Sequence, residues 1–212
     1  MTATTKETEQ AGVQPKAKYH HGDLREALIA AAYQIVNESG PENFLVADAC
    51  RLAGVSTAAP YRHFKDREEI LAEVTARGFD EMTSDTMQAV EAHGEGTLDA
   101  IVAMGHAYVN FAVKRQGVFR LMFGQEGAVA EQEHVVEIGT NCFGYVIDQV
   151  AKYCTSNGLE RDANEIAVRL WTLVHGASSL LIDGKYEKVA PDTDVEALIA
   201  SATPALLGPT GP

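Results

Sequence analysis

The stretch Val46-Ala-Asp-Ala-Cys-Arg-Leu-Ala-Gly-Val-Ser-Thr-Ala-Ala-Pro-Tyr-Arg-His-Phe64 decides how the rest of the chain is read. Val46, Ala49, Cys50 and Ala53 recur at helical spacing, and Gly54 follows as a residue that takes positive φ at a helix exit. Val55 is an apolar anchor, Ser56 or Thr57 a cap, and a second short helix is expected to run towards Phe64. Two short helices joined by a tight glycine turn are a helix-turn-helix signal. The second of them carries Thr57, Tyr61, Arg62 and His63, side chains of the types that reach bases and phosphates of double-stranded DNA.

Upstream, a first helix is expected over about 23–38, with Asp23 as its cap and Leu24, Ala27, Leu28, Ala31, Ile35 and Val36 at i, i+3, i+4 spacing. Ser39-Gly40-Pro41 should end it. Residues 1–17 are polar, lack an apolar period and are expected to form a disordered arm. Lys16, Lys18, His20 and His21 then precede the first helix, either as a solvated tail or as an arm on phosphates or the minor groove. Downstream, Asp66 should cap a longer helix, with Glu68 and Glu69 in the first turn where the helix dipole favours acid. Ile70, Leu71, Val74, Phe79 and Met82 form its apolar side, and it should reach about residue 90 and link head to body.

Beyond the break at His93-Gly-Glu-Gly96 the pattern stays helical. Helices are expected at 97–115, 129–156 and 161–183, a short piece at Val118–Phe123, and a last helix started by Asp192 or Asp194 and stopped by Pro204 and Pro209. The helices at 129–156 and 161–183 are apolar on two sides, so one side can face the core and the other a second subunit. The predicted fold is all-α. A three-helix helix-turn-helix DNA-binding domain at 18–68 precedes a larger helical effector-binding and dimerisation domain at 69–206, with a flexible tail at 207–212.

Charge qualifies this reading. The net charge is −13, but residues 1–68 hold 8 Lys+Arg against 9 Asp+Glu, so nearly all the excess acid lies in the body. A near-neutral head attracts DNA weakly, and binding must rely on a few placed contacts and on pairing of two heads. No apolar run approaches the roughly 20 residues of a membrane span, and the polar N-terminus lacks a signal-peptide core, so the chain is expected in the cytosol. Cys50, Cys142 and Cys154 lie far apart within helical patterns and read as buried small hydrophobes. Nucleophile-elbow, P-loop, dinucleotide and zinc-protease motifs are absent, which argues against an enzyme, and His20-His21-Asp23 has no further ligands nearby to make a metal site. No cofactor is expected.

The runs Tyr19-His-His-Gly-Asp-Leu-Arg-Glu-Ala-Leu28, Ala53-Gly-Val-Ser56, Ala59-Pro-Tyr-Arg-His-Phe64 and Asp66-Arg-Glu-Glu-Ile-Leu71 together resemble the tetracycline-repressor (TetR) family. In the body, Leu170-Trp-Thr-Leu-Val-His-Gly176 is similar to the Trp-x-x-x-His-Gly signature of one C-terminal subfamily. The resemblance implies a homodimeric regulator, usually a repressor, that leaves a near-palindromic operator when a small-molecule effector binds in the body. It implies base reading by Thr57, Ala58 and Ala59, phosphate contacts from Tyr61, His63 and Lys65, and a basic position at Arg67. Leu45 and Ala47 depart from the pattern, which places Thr or Ser and then a basic residue there, while Ala58 and Ala59 leave base reading to apolar contacts such as thymine methyls. A helical ligand-binding or protein-interaction module with a weak or lost DNA-binding head is the alternative.

Trp171, His175, Ser178 and Ile182 share one stripe of a helix, as an effector-pocket wall, as a packing pair or as part of the dimer seam. The candidate pocket residues are Tyr108, Phe111, Phe119, Met122, Phe143, Trp171 and His175, and the candidate dimer face is Val168, Thr172, Gly176 and Ser179. His106 is expected to be a satisfied core or edge histidine.

Overall fold

The computed structural model describes residues 21–124, 129 and 131–208. The expected arm at 1–17, together with Lys18 and His20, lies outside them. The described residues form α-helices and two short 3-10 turns, with no strand among them. In order these are α1 (His21–Ser39), a 3-10 turn Pro41–Asn43, α2 (Val46–Leu52), a 3-10 turn Pro60–Arg62, α3 (Arg67–His93), α4 (Leu98–Lys114), α5 (Gln116–Phe123), α6 (Glu133–Ser156), α7 (Ala163–Ile182), α8 (Lys185–Val189) and α9 (Val195–Leu207).

Local chemistry sets most boundaries. Asp66, Thr97, Asp162 and Asp194 accept backbone N–H bonds at the starts of α3, α4, α7 and α9. Asp23 is not a cap, because α1 already contains His21. Gly54 takes φ 69° in the turn after α2, as a helix-turn-helix corner requires. The second helix of that motif is shorter than expected. Between Ser56 and Phe64 only a tight turn and the 3-10 turn Pro60–Arg62 form, held by Ala59 N–H to Ser56 O at 3.0 Å and His63 N–H to Pro60 O at 2.8 Å. Pro60 has no N–H to return to Ser56 O, which takes the Ala59 N–H three residues on instead.

Three further boundaries differ from expectation. The long helix expected from 129 begins at Glu133, and α8 is an element that the sequence pattern does not mark. Pro204 does not stop the fold but sits inside α9, where the Thr203 hydroxyl donates to Ile199 O at 2.8 Å and the Ser201 hydroxyl to Leu198 O at 3.0 Å. The helix continues because Leu207 is completely buried and its carbonyl accepts from Arg161 at 2.8 Å, so the expected tail at 207–212 loses its first residue to the core.

The largest apolar cluster does not respect the expected division at residue 68. It joins Leu28, Val36, Phe44 and Phe64 of the head to Leu71, Phe111, Val118, Phe119 and Met122 of the body. Helix α5 makes this possible by lying against α1. At Gly117 a side chain would collide with the Val36 carbonyl oxygen and come within 2.9 Å of Asn37 Cα. Only glycine admits backbone that close. At Gly78 a Cβ would meet Met122 Sδ at 2.7 Å, so α3 and α5 also touch closely.

Candidate functional site

Two places carry the residues singled out above: the exposed face of the head and a cavity in the body. On the head, Thr57, Ala58, Tyr61, Arg62 and Lys65 are exposed, and Tyr61 is 68% accessible. Pro60 and Phe64 are buried beneath them and anchor the segment. Phe64 packs in the core, with the Arg25 guanidinium 5.4 Å from its ring centroid. Arg62 and Lys65 form no ion pair among the described residues, whereas Arg51 is tied to Asp48 at 3.0 Å. Leu45 and Ala47 are exposed on the same head and bring no charge to it.

Three expected contacts are placed differently. Ala59 is half-buried. His63 is half-buried too, and its Nε2 is enclosed without a hydrogen-bond partner, because the ring lies edge-on to Phe64 rather than in solvent. Arg67 faces the protein. Its Nε donates to Phe44 O at 3.2 Å, a terminal nitrogen donates to Pro41 O at 2.5 Å, and the guanidinium lies 5.8 Å from the Phe44 ring centroid. Arg67 therefore ties the loop after α1 to the start of α3, giving Phe44 O its donor and adding a second donor to Pro41 O, which already accepts the Phe44 N–H at 3.3 Å. His21 opens α1.

The body holds a half-open cavity of about 420 Å³ between α3, α4, α6 and α7, bordered at one end by α5, with its lining residues Val136 and Trp171 exposed. Tyr108, Met122, Phe143 and Trp171 line it. Phe111 and Phe119 do not; both are buried in the core shared with the head. His175 stands behind the wall, where its Nδ1 lies 2.8 Å from the Tyr108 hydroxyl, and Trp171 Nε1 donates to the same hydroxyl at 3.3 Å. Sequence spacing missed Phe79, Met82 and Thr86 on α3 and Gly139, Thr140 and Cys142 on α6. Helical periodicity marked α3 as apolar, but only the tertiary packing shows which part of that stripe faces empty space. Cys142, expected to be a core residue, lies at the cavity edge, and burial pushes its thiol pKa up.

None of the described lining residues is charged. Burial raises the Tyr108 hydroxyl pKa well above its ordinary value and lowers that of His175, so both stay neutral near pH 7. His106 is an edge residue, with Nε2 3.0 Å from Glu196 O across α4 and α9. The candidate dimer residues lie on the outer side of α7. Val168 and Thr172 are exposed, Gly176 and Ser179 half-buried, with Trp171 and Leu180 exposed beside them.

A second polar cluster ties head to body. Glu81 of α3 accepts from Arg115, between α4 and α5, at 2.9 Å and from the Tyr33 hydroxyl of α1. Burial would raise the Glu81 carboxyl pKa, but the bonds from Arg115 and Tyr33 outweigh it and hold the group below its ordinary value. No group of three or more His, Cys, Asp or Glu side chains that could hold a metal exists among the described residues, and no helix among them is long and apolar enough to cross a membrane.

Comparison with known proteins settles the class. Residues 28–74 match the family model for bacterial regulatory proteins of the tetR family, and residues 101–206 match that for the tetracyclin repressor-like C-terminal domain. The chain belongs to the TetR family. It is thus a DNA-binding transcriptional regulator, not an enzyme. The C-terminal match does not name a Trp-x-x-x-His-Gly subtype. Among relatives of this TetR protein, the uncharacterized HTH-type transcriptional regulator YobS of Bacillus subtilis (strain 168) is 23% identical over 170 residues, spanning 79% of this chain and 83% of that one. A solved protein of unknown function from Rhodococcus sp. RHA1 is 28% identical with a TM-score of 0.78, over 91% of this chain and 97% of that one. The TetR family regulator PfmR of Thermus thermophilus shares the fold at 16% identity and a TM-score of 0.57, over 85% and 96% of the two chains.

Proposed function

We propose that the protein is a homodimeric repressor that holds a near-palindromic operator with two heads and leaves it when a small-molecule effector occupies the body cavity. The observation that carries this is the shared core. Helix α5 supplies Met122 and Phe123 to the cavity wall, and through Gly117 it presses on α1 of the head. A ligand that moves the wall therefore moves the element on which the head rests, and it shifts the equilibrium by its differential affinity for the two placements. On the head, Thr57 and Ala58 face the base edges, while Tyr61, Arg62 and Lys65 take phosphates, joined by Lys18, His20 and His21 of the arm. The head is residues 18–68 and the body 69–206. Dimerisation uses the outer face of α7, where Val168, Trp171 and Leu180 leave apolar surface exposed. Such a protein works where the chromosome is, in the cytoplasm.

Gel-shift titration with the DNA upstream of the protein's own gene tests the reading. A site is expected with half-sites about one helical turn (roughly 34 Å) or a multiple apart, bound with an affinity that falls steeply with salt. Absent or salt-insensitive binding would favour the second reading, a ligand-binding module with an inactive head. Exposed Leu45 and Ala47 on the head support that alternative.

A further inference from the structure

We infer that the cavity takes a neutral, largely apolar small molecule with one hydrogen-bonding group, held at the Tyr108 hydroxyl. This rests on the cavity being the effector site proposed above, and it names the chemistry that site selects. An ion drawn fully into the cavity would lose its water and find no opposite charge among the described lining residues, so burying either sign there is penalised. A volume of about 420 Å³ lies towards the small end of the roughly 300–1,000 Å³ typical of ligand sites.

The polar anchor follows from hydrogen-bond accounting. Thr86 and Thr203 reach the cavity with their hydroxyl protons spent on the carbonyls of Met82 and Ile199, each at 2.8 Å, so they can only accept, and Thr140 lies at an exposed lining position where water competes for its hydroxyl. Tyr108 retains capacity. Trp171 Nε1 can only donate, so the Tyr108 oxygen accepts there with one of its two lone pairs. Its second protein partner is His175 Nδ1 at 2.8 Å. If Nδ1 is unprotonated it takes the hydroxyl proton, and a lone pair remains for a donor on the ligand. If Nδ1 carries the proton it donates, and the Tyr108 O–H is free for an acceptor on the ligand. A neutral alcohol or amide satisfies either tautomer, and the apolar remainder lies against Met82, Phe79 and Phe143.

The test uses the full chain at pH 8 with three probes of one chain length: 1-decanol, decanoate and decyltrimethylammonium. Trp171, the chain's one tryptophan, lines the cavity and reports occupancy by its fluorescence, with thermal shift as a second readout. Decanol is expected to change the emission and raise Tm, with both ions at least tenfold weaker. Tyr108→Phe, which keeps the ring and removes the hydroxyl, should weaken decanol roughly fivefold. Val136→Phe, at a lining position that is 52% exposed, should block decanol without lowering the Tm of the free protein. Equal binding of either ion, no binding of any probe, or unchanged decanol binding by Tyr108→Phe or by Val136→Phe would overturn the inference. Operator binding measured alongside separates the two claims. Decanol that binds without releasing DNA leaves the ligand class standing and removes the effector reading.

Discussion

Replacing Gly117 by alanine sets two calculable effects against each other. Alanine is favoured over glycine inside a helix by about 0.5–1 kcal/mol, and by less in the first turn, where Gly117 sits. Against this, the new methyl group would collide with the Val36 carbonyl oxygen and approach Asn37 Cα and O to 2.9 Å. Those neighbours are backbone atoms of α1 and cannot rotate aside as a side chain would. Overpacking of this kind costs about 1–3 kcal/mol, and an immovable neighbour places it at the upper end. The net expectation is a loss of about 2 kcal/mol, or a Tm lower by roughly 4–8 °C for a chain of this length. Thermal unfolding followed by circular dichroism measures it. Gly144→Ala in α6 is the control, because a methyl there meets nothing within 4 Å and should leave Tm unchanged or slightly raised. A Gly117→Ala protein as stable as the parent, or more so, would refute the close approach of α5 to α1. The shared core on which the proposed signalling depends would go with it.

Tyr61→Ala should reduce operator affinity about tenfold or more with no change in Tm, because the side chain is 68% exposed and supports nothing beneath it. Arg67→Ala should lower Tm as well as DNA binding, since it leaves Phe44 O without its side-chain donor and removes a second donor from Pro41 O; a loss of about 1–3 kcal/mol is expected, and a variant of normal stability would show that Arg67 serves DNA alone. Glu81 has its pKa depressed in the folded protein, so its contribution to stability is complete above the unfolded value near about 4.3 and is lost as pH falls from there through the folded value. Tm measured against pH should therefore drop more steeply below pH 4–5 in the parent than in Glu81→Gln.

Much of this molecule was legible without coordinates, and the reason is local physics. The helix cap at Asp66, the turn glycine Gly54 and the apolar stripes act within a few residues, so the all-α class and the order of elements can be read from spacing. Where local signals compete with distant packing, spacing misled. Pro204 reads as a stop, yet α9 continues because Leu207 is buried and Arg161 caps its carbonyl. The segment from Ser56 to Phe64 reads as a second short helix, yet it forms only a tight turn and the 3-10 turn Pro60–Arg62.

The sequence by itself determined the helix-turn-helix head and, through the order and spacing of its motifs, the family. The tertiary structure alone decided which residues of each stripe face a neighbour, a cavity or solvent. A helical stripe names a side of a helix and not what lies opposite it. Thus Tyr108 borders the cavity while Phe111, one turn on, is sealed in the core, and Arg67, read as a basic position, is spent on the carbonyls of Pro41 and Phe44.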